Sequence, residues 1–272
     1  MTARDRFHRA VAIASIVLAT GVATASAQTA DVQVIHNSPD PAAAVVDIYL
    51  DMGPTPAIDD FGFREATPVL SLPAGVPLQI GVAPGNSSGP GDIIASFPVT
   101  LTSGSSYVVM ACGVVGMGLP MNPEGVSTDF TLAVFEGLRT AGTGGQVDLL
   151  AFHGAPDAPT VNVVAQGVGT LFPDLTFKQF ATDYLSVPPA NYLLDVEASS
   201  NPGTPVATFQ APLAGLGGGA AVVFASGWLT PGVGASFGLF AALPTGDVLE
   251  LTPAATPVES TTWGSVKRLY QD

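Results

Sequence analysis

Residues 32–51 read VQVIHNSPDPAAAVVDIYLD, and residues 149–164 read LLAFHGAPDAPTVNVV. In both stretches an apolar run leads to a histidine, two small or polar residues, a Pro-Asp pair, a further proline and a second apolar run. His36 and His153 lie 117 positions apart. Such self-similarity marks one structural unit present twice. The match extends outward. Leu70-Ser-Leu-Pro-Ala-Gly75 pairs with Leu185-Ser-Val-Pro-Pro-Ala190, Ser106–Gly113 with Ala220–Gly227, and Phe130–Phe135 with Phe237–Ala242. The offset shrinks toward the C-terminus, so the copies differ mainly in loop length, and loop length costs little closure entropy.

Each copy holds about seven short apolar runs separated by turn residues, the signature of a β-sandwich. The 31 Gly and 24 Pro exclude long helices. The expected fold is all-β: two tandem immunoglobulin-like antiparallel β-sandwich domains over 28–141 and 146–252, linked through Gly142-Thr-Gly-Gly145 and lacking the Cys…Trp…Cys hallmark. Tyr107–Cys112 and Ala220–Ala225 are apolar throughout, as in central strands. Val45–Leu50 alternates, with Val46, Ile48 and Leu50 on one face and Asp47 and Tyr49 on the other.

The ends read differently. Arg4, Arg6 and Arg9 precede a short apolar core, Val11 to Val22, and Ala25-Ser-Ala27 forms a small-residue cleavage site. Residues 1–27 are therefore expected to be a signal peptide. Residues 253–272 are expected to be a flexible linker and a short amphipathic tail, with Trp263, Val266 and Tyr270 on one side. The tail is either a packed terminal helix or a sorting tag. After signal removal no segment is long and apolar enough to span a membrane. The expected location is exported: extracellular, cell surface or periplasmic.

The formal charge of −14, with only 8 Lys and Arg, argues against nucleic acid and anionic lipid surfaces as partners. Cys112 is the single cysteine, so no intrachain disulfide forms, and its apolar strand predicts a buried, inert thiol.

The repeated His-x-x-Pro-Asp corner is expected to tie a strand end to a turn, with a ring nitrogen donating to a carbonyl or carboxylate. Weak metal-ligand candidates are His36, Asp40, His153 and Asp157. A third ligand, Asp47, becomes Asn162 in the second copy, and zinc-like spacing is absent. Gly85-Asn-Ser-Ser-Gly89 matches G-x-S-x-G, but Pro90-Gly91 follow where an elbow needs a helix, so a mobile loop is expected. Gly215–Gly219 reads as a hairpin connection rather than a phosphate loop. Asp59-Asp60 lies in a Pro-rich loop, and sugar stacking at Trp228 is possible but not indicated by the sequence. No catalytic residues and no cofactor are expected.

The elements H-x-x-P-D-x-P-x-V-D-V-Y and L-x-[LV]-P-x-G resemble the DUF4397 family of secreted bacterial domains. His36, Pro39, Asp40, Asp47 and Tyr49 keep the pattern in the first copy. His153, Pro156, Asp157 and Pro159 keep it in the second, where Asn162 and Val164 depart from it. The resemblance implies a fold and export, and no active site. The expected function is a non-enzymatic exported cell-envelope or extracellular module, structural, adhesive or partner-binding, whose partner is a protein or polysaccharide of the envelope. The alternative is a carbohydrate- or small-ligand-binding protein using sandwich loops or the interdomain cleft, with an extracellular hydrolase as the remote third case. Specific activity is expected in what the copies do not share: the loops at 52–68, 84–92 and 114–128, and the tail.

Overall fold

A computed structural model describes residues 28–254. The expected signal peptide at 1–27 and the tail from 255 onward, with Trp263, lie outside the described residues.

The first unit comprises β1 (Thr29–Asn37), β2 (Val45–Leu50), β3 (Ile58–Gly62), β4 (Leu70–Pro73), β5 (Pro77–Pro84), β6 (Ala95–Thr100), β7 (Ser106–Cys112) and β8 (Thr131–Glu136). They form two sheets, β4-β1-β7-β8 and β3-β2-β5-β6. The second unit comprises β9 (Val147–His153), β10 (Val161–Ala165), β11 (Gly169–Leu175), β12 (Leu185–Val187), β13 (Asn191–Ala198), β14 (Pro205–Pro212), β15 (Ala220–Ser226), β16 (Gly238–Ala242), β17 (Val248–Glu250) and β18 (Thr252–Pro253). Its sheets run β12-β9-β15-β16-β17 and β11-β10-β13-β14-β18. The strand order repeats, with one strand added to each sheet of the second unit. The first strand of each unit lies parallel to its central partner, Val34 opposite Val109 and Ala151 opposite Val223, and every other pairing is antiparallel.

Burial of the central strands on both faces explains the uninterrupted apolar runs. On β7, Val109 faces the interior of its own sandwich, while Val108, Met110 and Cys112 face away from it. They meet the outward faces of β9, β15 and β16, where Leu150, Phe152, Phe224 and Phe240 are buried. The two units thus share an apolar joint, the face of one central sheet against that of the other. Burying each large side chain there, such as Phe152 or Phe224, is worth about 1.5–3 kcal/mol.

Linker and crossovers are pinned by polar contacts. Arg139 forms an ion pair with the fully buried carboxylate of Asp148 at 2.9 Å, and Ser186 and Thr143 donate hydroxyl hydrogen bonds to the same carboxylate. Gly215–Gly219 is not a hairpin: the segment carries the chain from β14 in one sheet to β15 in the other, because those strands lie in opposite layers.

Candidate functional site

The two histidine corners have the same construction. His36 Nε2 sits 2.7 Å from the Ala43 carbonyl, and His153 Nε2 sits 2.9 Å from that of Pro159. A carbonyl only accepts, so Nε2 carries the proton and donates. Nδ1 then faces a backbone N–H two residues on, Ser38 at 3.5 Å and Ala155 at 3.4 Å. Both rings are buried, and burial lowers the His36 pKa to about 4 and the His153 pKa in the same direction. The adjacent acids hold loops. Asp40 Oδ2 accepts from the amides of Val115 and Gly116, and Asp40 Oδ1 accepts from that of Ala42. Asp157 accepts from Leu229 and Thr230 in the same way. His36, Asp40, His153 and Asp157 thus spend their donor and acceptor atoms on the backbone. Among the described residues, no group of three or more His, Cys, Asp or Glu is arranged to hold a metal ion.

Asp47 points away from its neighbouring histidine. Asp47 Oδ1 accepts from the amide of Asp60, and Oδ2 accepts from Ser87 Oγ at 2.5 Å, while Tyr49 and Ser87 share a hydroxyl contact of 2.7 Å. Asn162 does the same work in the second copy, accepting from Asp174 N and Ser199 Oγ. Asp60 and Asp174 both adopt positive φ, 53° and 49°, so each acceptor pins a bulged strand partner. The polar face of Val45–Leu50 is therefore buried, and the Gly85–Gly89 loop is anchored at Ser87 rather than loose. Ser87 meets an aspartate and a tyrosine, not a histidine.

Two of the residues that build the joint between the copies, Arg64 and Lys178, were not singled out by the sequence. Arg64 Nε donates to Ser226 Oγ at 3.0 Å and its guanidinium donates to the Ser236 carbonyl at 2.6 Å. Lys178, its counterpart, donates to the Asp129 carbonyl of the first copy. The backbone amides of both also bond back to the histidine carbonyls, Arg64 N to His36 O and Lys178 N to His153 O. The only signal in the sequence was the echo of Phe63-Arg64-Glu65 in Phe177-Lys178-Gln179. The loops beyond them cross the joint reciprocally. Trp228 donates from its indole to the Pro39 carbonyl at 3.0 Å, and Asn122 Nδ2 donates to the carbonyls of Pro156 and Ala158. Trp228 is buried, which removes it as a sugar platform. The 114–128 loop is likewise engaged: Glu124 accepts from Thr160 through both carboxylate oxygens. The expected interdomain cleft is filled by side chains. What is left is an open groove of about 530 Å³ at its margin, lined by Asp59, Arg64, Glu65, Thr67 and Asp247.

A wide apolar site lies inside the first sandwich. A cleft of about 510 Å³ runs between its sheets, from Leu50, Ile58 and Leu70 to Val99, Leu132 and Val134. Among the described residues, the matching interior of the second copy holds pockets of about 20 and 50 Å³. Matched positions make the contrast. Val34, Ile80, Val99 and Leu132 are half-buried, whereas their counterparts Ala151, Leu194, Ala211 and Leu239 are buried. Val134 is 52% exposed and its counterpart Ala241 is 5% exposed. The second copy closes itself: after β16 its chain returns as β17 and β18, and Leu251 enters the gap between the sheets and becomes core. The first chain leaves β8 through Gly137 for the linker, so this closure is missing. The interior of the first sandwich accordingly divides into two apolar clusters, where that of the second is continuous.

Residues 30–164 match the model of the family described as "Domain of unknown function (DUF4397)", and this stretch of the chain is a domain of that family. The match covers the first sandwich and extends into β9 and β10, and it brings no assigned activity. A search of curated proteins gives no match. Among solved structures, the chain is similar to one described as "Alpha-glucan binding by a streptococcal virulence factor", with 9% identity and a TM-score of 0.23, over 71% of this chain and 91% of that one.

Proposed function

We propose that this protein is a non-catalytic exported module of the cell envelope or extracellular space, and that it holds a partner through the open apolar cleft of its first sandwich. The observation that carries this reading is the asymmetry of the two copies: the same walls enclose a filled core in one and about 510 Å³ of open space in the other. An apolar surface of that extent left open in a folded protein favours a binding role. Its lining is mostly aliphatic, with Phe61, Tyr107 and Phe130 among it and few hydrogen-bonding groups, which favours an apolar group over a sugar. The case against catalysis rests on occupied groups. Both described histidines are neutral and bonded to backbone, and burial pushes the Cys112 thiol up to about 12. Export rests on the residue pattern of 1–27, and the acidic composition is compatible with it.

The test uses the chain from Gln28 onward and the apolar dye anilinonaphthalene sulfonate. We expect saturable binding of about one dye per folded protein, lost in the cleft-filling variant Val99→Phe/Leu132→Phe. A folded protein that leaves the dye dark, or a filled variant that binds it unchanged, refutes the cleft as a site. Mass analysis of protein recovered outside the cytoplasm tests export, and an N-terminus other than Gln28 overturns the assigned cleavage point.

A further inference from the structure

We infer that the occupant of the cleft is an extended polypeptide segment that adds to β8 as an antiparallel edge strand and inserts apolar side chains at alternate positions between the sheets. The inference rests on the cleft being a binding site and adds the class of its partner. The second copy supplies the template. There β17 pairs antiparallel with β16, Ala241 opposite Leu249 and Ala242 opposite Val248, and the Leu251 amide donates to the Leu239 carbonyl at 2.9 Å. Leu249 and Leu251 both line the small pocket left in that core. The corresponding atoms of the first copy belong to Leu132 and Val134, on the outer edge of β8, where the sheet ends among the described residues. An open edge beside an apolar cleft is the arrangement that strand addition requires: main-chain hydrogen bonds give affinity and alternate side-chain pockets give specificity.

The opposite rim is blunted. Pro98 occupies the β6 position that Gln210 holds in β14, and Gln210 is the residue opposite Thr252 in β18. Proline supplies no N–H, so β6 is a poor partner and β8 carries the pairing. Charge narrows the partner further. Among the described residues the cations are Arg64, Arg139 and Lys178, and all three are engaged in the contacts given above. The edge itself ends on Glu136, and the chain carries −14 overall. The fitting segment is therefore apolar at alternate positions and neutral or basic between them.

The probe is a synthetic peptide copying residues 246–254, GDVLELTPA, together with a version carrying Asp247→Lys and Glu250→Lys. Both are titrated against the chain from Gln28 onward. We expect saturable one-to-one binding, tighter for the lysine version at low salt, with the two converging as salt screens the difference. N-methylation of the peptide at the Leu251 position weakens binding about tenfold, because it deletes one main-chain hydrogen bond and adds a clash. Val134→Asp in the protein weakens it similarly. Hydrogen exchange at the Leu132 and Val134 amides slows on binding. If the N-methylated peptide binds as well as its parent, or if the dye occupies the cleft and neither peptide does, strand addition is wrong while the cleft remains a site. If neither dye nor peptide binds, both readings fall. Protection confined to β14 and β16 means exchange of strands in the second copy and overturns the assignment. So does concentration-dependent dimerisation that protects β8 without peptide, since the occupant is then another copy of this chain.

Discussion

Acidification from pH 6.5 to pH 5 is expected to destabilise this protein through its histidine corners. The folded state holds His36 with a pKa near 4, against 6.5 when unfolded. Between those values the unfolded chain binds more protons than the folded one, so stability is complete above pH 6.5 and falls as pH drops. At about 1.4 kcal/mol per pH unit, His36 removes about 2 kcal/mol by pH 5 and about 3 kcal/mol by pH 4. His153 acts in the same direction. The carboxyls of Glu124 and Asp148 are held below their usual range, so their protonation lies below this window. The assay is guanidinium unfolding at pH 7.5, 6.0 and 5.0 in a Trp263→Phe background, followed by the fluorescence of Trp228, which is buried at the joint. His36→Gln cannot titrate and retains an amide donor for the Ala43 carbonyl. It should be less stable at pH 7.5 and show a flatter decline with acid. A variant whose stability falls between pH 6.5 and 5 as steeply as the parent's would refute the reasoning.

Three further outcomes are expected. Gly154→Ala places a Cβ 2.7 Å from the Ala225 carbonyl and closer still to Asn37 Nδ2, which should cost about 1–3 kcal/mol; a thermal melt unchanged from the parent's counts against the close packing at that point, and Asn37→Ala should recover part of the loss. Trp228→Ala leaves a hole at the joint and an unpaired Pro39 carbonyl, with a cost of about 3–5 kcal/mol in chemical unfolding; less than about 1 kcal/mol shows that the indole contributes little. Cys112 should resist a thiol reagent at pH 8 in the folded protein and react on unfolding, since it is fully buried with its pKa pushed up to about 12; rapid reaction in the native state contradicts that burial.

Much of this architecture was legible because it was written twice. The doubled corner His-x-x-Pro-Asp, the runs Tyr107–Cys112 and Ala220–Ala225, and the L-x-[LV]-P elements all became matching strands and turns. Local chemistry sets such features: proline fixes a turn, an aspartate caps it, and alternation or its absence tells one buried face from two. The joint was not legible in the same way. Asn37 reaches Ala225 across 188 positions, and a single asparagine carries no mark of so distant a carbonyl. Nothing in the neighbourhood of Trp228 announces Pro39, so sugar stacking there stayed possible until the structure buried the ring. The cleft was hidden for another reason: it is made by residues the first copy lacks. The match between the copies stopped at Phe135 and Ala242, and the Val-Leu-Glu-Leu alternation of 248–251 passed as the trailing end of a domain, although it is the segment that closes the second core.

The way the copies meet also limits how far the design can be extended. Arg64 reaches the loop after β15 as Lys178 reaches the loop before β8, and Trp228 crosses toward Pro39 as Asn122 crosses toward Pro156. Each copy presents the same face to the other, the arrangement of a two-fold dimer folded into one chain. A contact of that kind is self-saturating. Head-to-tail repeats leave a free end face onto which another unit can stack, whereas a face-to-face pair uses up both faces at once. A third copy spliced onto this chain would find no joint to occupy and would hang on its linker as a separate bead, so longer proteins assembled from this unit should add copies in pairs.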